Sequence, residues 1–216
     1  MHDRAKPARG PNGPSPTLTF FKQWLKNPLS VAALSPSSRQ LARLMVRELP
    51  KDAERVVELG GGTGVFTQAM LEHGIEPQRL MVVELNAELH QFLHQRFPDV
   101  RVVCGDARQL PALVDEHRFG DSPVDAIVSG LGLLSMPKSL QREILEGAFA
   151  VLPPEGRYIQ FTYGPVSPVG REILDDLGLV VRRGGFAWWN IPPASVFVYT
   201  RSRSKPIHPV RAKDKT

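Results

Sequence analysis

The chain has 216 residues and a net charge of +5, enough length for one domain with a substantial core and short appendages. Its 42% apolar and 23% charged residues exclude a disordered or collagen-like chain, and no apolar run approaches the roughly 20 residues that a membrane-spanning helix needs. The excess charge sits at the ends: residues 1–16 hold +2 and residues 201–216 hold +5, which leaves −2 on 17–200. Flexible basic tails suit an anionic surface such as lipid headgroups or nucleic acid, or serve solubility alone.

Residues 1–16, rich in Pro and Gly, read as a disordered basic tail. No apolar run follows their basic residues, so a secretory leader is not expected. Residues 17–48 read as two helices. The first, Thr17 to Lys26, starts at a threonine cap and ends before Asn27-Pro28. It places Phe20, Phe21, Trp24 and Leu25 on one side and Lys22 and Lys26 on another, the pattern of a segment lying in a membrane interface or of aromatics packed on the protein's own sheet. The second, Pro36 to Glu48, has Ser35 as cap and carries Arg39, Arg43 and Arg47 four residues apart on one face. That face suits a lipid phosphate, an anionic bilayer, or plain solvent.

From residue 49 to 200 apolar runs alternate with helical periodicity. Strands are predicted at Arg55–Leu59, Leu80–Leu85, Val100–Cys104, Val124–Ser129 and Arg157–Thr162, with helices at Val65–His73, Ala87–Arg96 and Lys138–Leu152. This alternation predicts an α/β fold with a parallel sheet covered by helices. Leu179–Trp189 and Ser195–Arg201 then form a closing hairpin whose last strand is antiparallel to the others. Residues 201–216 are a second basic tail. Cys104, the single cysteine, excludes an internal disulfide and reads as a small core residue in a reducing cytoplasm.

The sharpest motif is Glu58-x-Gly60-Gly61-Gly62-Thr63-Gly64, at the end of a strand and the start of a helix. Glycines there let the backbone turn and a ligand approach, and the helix N-terminus offers free amides. The dinucleotide spacing G-x-G-x-x-G fails, because its third position falls on Val65. A phosphate-binding loop fails too, since no Lys-Ser or Lys-Thr follows. The pattern resembles the first motif of class I methyltransferases, which implies S-adenosylmethionine as cofactor, its methionine part cradled by the glycines and its ammonium held by Glu58, directly or through water. Glu84, with Leu85 after it, ends the second strand where a carboxylate can accept both ribose hydroxyls. Gly105-Asp106-Ala107 ends the third, where an acceptor beside an N–H matches the adenine edge. Ser129 and Gly130 complete the cofactor residues by the same resemblance.

The fourth strand runs into Ser129-Gly130-Leu131 and lacks the Asn/Asp-Pro-Pro-aromatic motif with which many amino-methylating enzymes take a flipped base. A nucleic-acid substrate is therefore the alternative and not the main expectation, although the chain order is generally similar to ribosomal RNA adenine dimethylases. With Phe21-x-x-Trp24-Leu25-x-Asn27-Pro28, Ser35-Pro36-Ser37-Ser38 and Gln160-Phe161-Thr162-Tyr163-Gly164-Pro165, the chain resembles the bacterial phospholipid N-methyltransferases over roughly residues 20–200. The resemblance implies a Rossmann-like, mostly parallel seven-stranded sheet and methylation of phosphatidylethanolamine towards phosphatidylcholine. Ornithine lipid is the alternative aminolipid. The expected protein is a monomer in solution that associates peripherally with the inner face of the membrane, with Phe20, Phe21, Lys22, Trp24, Lys26, Ser38, Arg39 and Arg43 as the residues facing lipid. Tyr163, at the end of the fifth strand, is the candidate catalytic and headgroup residue.

Other groupings read as structural. His90 and His94 have metal spacing on a helix but lack a third ligand, so no metal is expected. Asp115-Glu116 and Asp175-Asp176 read as solvated, and Trp188 and Trp189 as core or rim.

Overall fold

A computed structural model describes residues 36–119, 122–188 and 192–202, with side chains from residue 39 onward. The tails, the helix expected at Thr17–Lys26 with its Phe20, Phe21, Lys22, Trp24 and Lys26, the Ser35 cap, the Ser38 side chain and Trp189 lie outside the described residues.

Helix α1 (Pro36–Val46) precedes β1 (Val56–Leu59), α2 (Val65–His73), β2 (Leu80–Glu84), α3 (Ala87–Arg96) and β3 (Arg101–Cys104). Then follow α4 (Leu110–Glu116), β4 (Ala126–Ser129), α5 (Lys138–Val151), β5 (Arg157–Tyr163), α6 (Arg171–Asp176), β6 (Leu179–Ala187) and β7 (Ala194–Arg201). The strands form one seven-stranded sheet in the order β3-β2-β1-β4-β5-β7-β6. The first five are parallel to one another, and β7 runs antiparallel to both β5 and β6. The alternation of strand-like and helix-like runs thus leads to the expected fold, and the closing hairpin places β7 inside the sheet instead of at its edge.

Strand β1 is Val-Val-Glu-Leu, buried throughout, as a central parallel strand covered on both faces must be. Successive residues feed opposite cores. Val57, Met81, Ile127 and Tyr158 pack with Leu113 of α4, Ile144 of α5 and Ile173 of α6. Val56, Val82, Ala126 and Ile159 pack with Met45 of α1, Met70 of α2 and Leu93 of α3. Truncating a fully buried Leu59 or Met81 to Ala is expected to cost about 2–5 kcal/mol.

The helix ends follow from local chemistry. The Asn86 side chain accepts from the Glu88 and Leu89 amides and starts α3. Gly74, in the left-handed region, donates to the Leu71 and Met70 carbonyls and stops α2. Strand β6 comes close to α1 and the turn after it at two glycines: a Cβ on Gly185 would stand 3.3 Å from Leu44 Cδ2, and one on Gly184 2.7 Å from Glu48 Oε1. Glu48 in turn pairs with Arg182 at 2.6 Å.

One expectation fails and another, core or rim for Trp188, is narrowed to the rim. Cys104 is exposed, because β3 is an edge strand and this residue ends it. Trp188 is 75% exposed and so is not a core residue; β6 is the opposite edge strand, and Trp188 follows its last residue. Helices α4 and α6, of 7 and 6 residues, are too short to show a clear period in sequence.

Candidate cofactor and acceptor site

The chain order reverses between β1 and β4. In an open α/β sheet that reversal opens a crevice at the carboxyl ends of the strands, where ligands bind. The glycine loop fills one lip of it. Gly62 has φ +54, and a Cβ built there meets nothing within 4 Å, so this half-exposed position combines a left-handed backbone with open space for a ligand. Gly61 and Gly64 serve packing instead. Their Cβ atoms would stand 2.5 Å from Val82 Cγ1 and 2.4 Å from Phe97 Cε2. Thr63 is buried, and its carbonyl accepts from Arg96 Nη1 at 2.9 Å.

Three acids surround the loop in different states. Glu58 is completely buried; its Oε2 accepts from Thr67 Oγ1 at 2.5 Å, and its Oε1 has no protein partner. Burial pushes its carboxyl up to about 8, with the Thr67 hydrogen bond opposing and the nearby Glu84 adding to the rise. Glu84 accepts from the Gly62 amide at Oε2 and the Asn86 amide at Oε1, both at 2.9 Å. Asp106 accepts from Arg108 three times: its amide at 2.9 Å, Nε at 2.9 Å and Nη2 at 2.6 Å. Hydrogen bonding and charge from Arg108 hold the Asp106 carboxyl below its ordinary value.

Glu84 and Asp106 line an open pocket of about 340 Å3 together with Gly60, Leu85, Gly105 and Ala107. The structure therefore gathers six of the expected cofactor residues on one wall system. Glu58, Gly61, Thr63, Ser129 and Gly130 are buried beside or below it. Sequence reading missed Arg108 and the far wall, Leu131, Met136, Leu140 and Ile144. The far wall comes from the β4–α5 connection and α5, whose apolar residues look like ordinary helix core; Arg108, two residues after Asp106, was within reach of the sequence but carried no motif. The pocket fits S-adenosylmethionine: a carboxylate for the ribose, an acceptor beside the first amide of a helical turn for the adenine edge, exposed Leu85 (68%) for an apolar ring face, and an unpartnered Glu58 oxygen beneath the loop.

Across the crevice, Gln160 is fully buried and donates to the Leu131 carbonyl at 2.7 Å, fixing the turn after β4. Tyr158, bonded to Ser129, lies behind it, its hydroxyl pushed well up by burial. Tyr163 is half-buried at the end of β5, edge-on to Phe161 with centroids 5.5 Å apart. Arg39, Arg43 and Arg47 are all exposed, as one basic face requires.

The two histidines of α3 stack at 6.2 Å, and among the described residues no three His, Cys, Asp or Glu side chains are grouped to hold a metal ion. Asp115, Glu116 and Asp175 are exposed as expected, and Asp176 pairs with Arg142. No described helix is long and apolar enough to cross a membrane.

A parallel sheet closed by an antiparallel hairpin, with a glycine loop and two acids at successive strand ends, defines a Rossmann-like class I methyltransferase. The family described as a methyltransferase domain matches residues 56–156. An ornithine lipid N-methyltransferase of Singulisphaera acidiphila is 33% identical over 184 residues, which cover 82% of this chain and 92% of that enzyme. The chain belongs to the S-adenosylmethionine-dependent methyltransferases, in the family that contains this relative. A ribosomal RNA small subunit methyltransferase A of Synechococcus is also 33% identical, but over 101 residues that cover 45% of this chain and 33% of that protein. Among solved structures, the magnesium protoporphyrin IX methyltransferase of Synechocystis, with S-adenosylmethionine bound, shares the fold with a TM-score of 0.60 at 13% identity, covering 89% of this chain and 100% of that one. The lipid relative carries the name of ornithine lipid, whereas the resemblance read from the sequence had pointed first to phosphatidylethanolamine.

Proposed function

We propose that the protein N-methylates the primary amine of a membrane aminolipid, with ornithine lipid as the first candidate and phosphatidylethanolamine as the second. The observation that carries this reading is the 33% identity to an ornithine lipid N-methyltransferase across 92% of that enzyme. The turn after β4 supports it: Gly130 and Leu131 offer neither an amide side chain nor a stacking ring, and the Leu131 carbonyl is already taken by Gln160. A planar base amino group would find little to hold it there.

In this reading Glu84 accepts the ribose hydroxyls, Asp106 and the Ala107 amide read adenine, and the glycine loop with Glu58 holds the methionine end. When bound, the cofactor supplies an electrophilic methyl group, which forms a bond to the acceptor nitrogen as the carbon–sulfur bond breaks and the sulfur keeps the electron pair. The amine arrives protonated, with a pKa of about 10 in water. Loss of water at the crevice mouth favours its neutral form, and in this reading Tyr163, at the end of β5, accepts a hydrogen bond from it. The proton leaves to solvent. Alignment of the two reactants supplies much of the rate.

The exposed Arg39, Arg43 and Arg47 face suits an anionic bilayer, which supports a reading in which the protein docks on the inner surface of the membrane and the acceptor headgroup enters from the lipid side. The test is transfer of labelled methyl groups to a total bacterial lipid extract, with RNA in a parallel tube. Label in methylated ornithine lipid supports the reading. Label in methylated phosphatidylethanolamine keeps the chemistry and selects the second candidate, and label in RNA alone overturns both.

A further inference from the structure

Near the glycine loop three aromatic rings pack together at the margin of the core that holds α1, α2 and α3 against the sheet. Phe66, in the first turn of α2, lies 5.7 Å from Phe161 between centroids, with the planes at 56°. Phe161 meets Tyr163 at 5.5 Å and 81°. Phe161 is 7% exposed, while Phe66 and Tyr163 remain half-buried. A Cβ on Gly130 would stand 3.4 Å from Phe66 Cε2 and 2.6 Å from the Gly60 carbonyl oxygen. Gly60 lines the cofactor pocket, so Gly130 touches both that pocket's loop and the ring of Phe66.

Resting on the aminolipid reading, we propose that Phe66, Phe161 and Tyr163 form an acceptor subsite selective for alkylated ammonium headgroups, which retains partly methylated lipid for further rounds. Each transfer leaves the acceptor nitrogen as an alkylammonium cation. Every added methyl group replaces an N–H donor, weakens hydration and spreads the charge over carbon. Ring faces attract such a cation through their quadrupole without needing its N–H groups. A primary ammonium entering the same site forfeits hydrogen bonds to water that the rings do not replace. Between rounds the bound nitrogen gives its remaining proton to water, and the trimethylated product, which has none, ends the sequence.

The test uses the full chain saturated with S-adenosylhomocysteine and follows tetramethylammonium and methylammonium by saturation-transfer NMR. Tetramethylammonium is expected to bind about fivefold or more tightly than methylammonium, and Phe66→Leu to abolish that preference. Phe66→Tyr, which keeps a ring, is expected to retain it, and S-adenosylhomocysteine affinity is expected to stay unchanged in both variants. With lipid, Phe66→Leu shifts products from the most methylated species towards the monomethylated one. Equal binding of the two cations by the wild type, or an unchanged preference and product pattern in a folded Phe66→Leu protein, overturns the subsite. If Phe66→Leu does not fold, Tyr163→Leu replaces it with the same expectations. Absence of any methylated aminolipid in the wild-type reaction overturns the functional reading instead, and the cation measurement stands apart from it.

Discussion

The Gly62 amide donates to Oε2 of Glu84 at 2.9 Å, so the carboxylate expected to meet the ribose also holds the loop expected to meet the methionine part. Its other oxygen accepts from Asn86 at 2.9 Å. Each carboxylate oxygen has a second lone pair, which leaves acceptor capacity for a diol. Glu84→Gln turns one acceptor into an NH2 group facing a backbone N–H. Cofactor affinity is expected to fall by about 100-fold, from the lost ligand bonds and the unsettled loop together, with a lower melting temperature for the apoprotein. Calorimetric titration and a thermal melt measure the two effects. A lower affinity with an unchanged melt would remove the loop-holding role.

Asp106 is clamped by the arginine two residues on, Arg108, which also reaches Glu143 across the pocket lining at 3.5 Å. Asp106→Ala is expected to weaken S-adenosylmethionine binding by tenfold or more with the fold intact. Arg108→Ala should act more mildly and in a pH-dependent way. Arg108 lowers the Asp106 pKa, so its removal raises the pH at which binding is lost on acidification. Titrations across the acidic range decide this, and superimposable wild-type and Arg108→Ala profiles would count against the clamp.

Glu58 gives the opposite pH response. Its folded-state carboxyl is raised from 4.5 to about 8, so the folded protein holds this proton when the unfolded chain has already lost it. This group therefore leaves stability intact below the unfolded value and withdraws it as pH rises towards about 8. The apoprotein is expected to melt at higher temperature at about pH 6 than at about pH 8.5, and Glu58→Gln to flatten that slope. A cationic ligand beside Glu58 favours the carboxylate, so binding near neutral pH should release protons. Titration in buffers of different ionisation enthalpy counts them.

Arg39, Arg43 and Arg47 share one exposed face. Changing all three to Glu is expected to reduce sedimentation with vesicles containing phosphatidylglycerol by about tenfold at low salt, while cofactor affinity is retained. Vesicle binding that survives the change would assign membrane contact to other parts of the chain.

The parallel order of the sheet and the positions of Glu58, Glu84 and Asp106 were legible because each sits at the end of an apolar run, and a run's end is visible in sequence. What those acids bond was not. The Gly62 to Glu84 bond spans 22 residues and depends on the register of β1 against β2. Phe66 and Phe161 were equally hidden, since an aromatic in an amphipathic helix and one in a buried strand both read as core. Cys104 misled for a related reason: an apolar strand does not disclose whether it lies at a sheet edge.

That edge position has a practical corollary. Cys104 is the single thiol of the chain, exposed, and immediately precedes Gly105 in the pocket lining. A maleimide dye can therefore be attached at one defined position of the unaltered protein, one residue from the adenine wall. Its emission would follow cofactor arrival and departure in real time, with no engineered cysteine and no radioactive tracer.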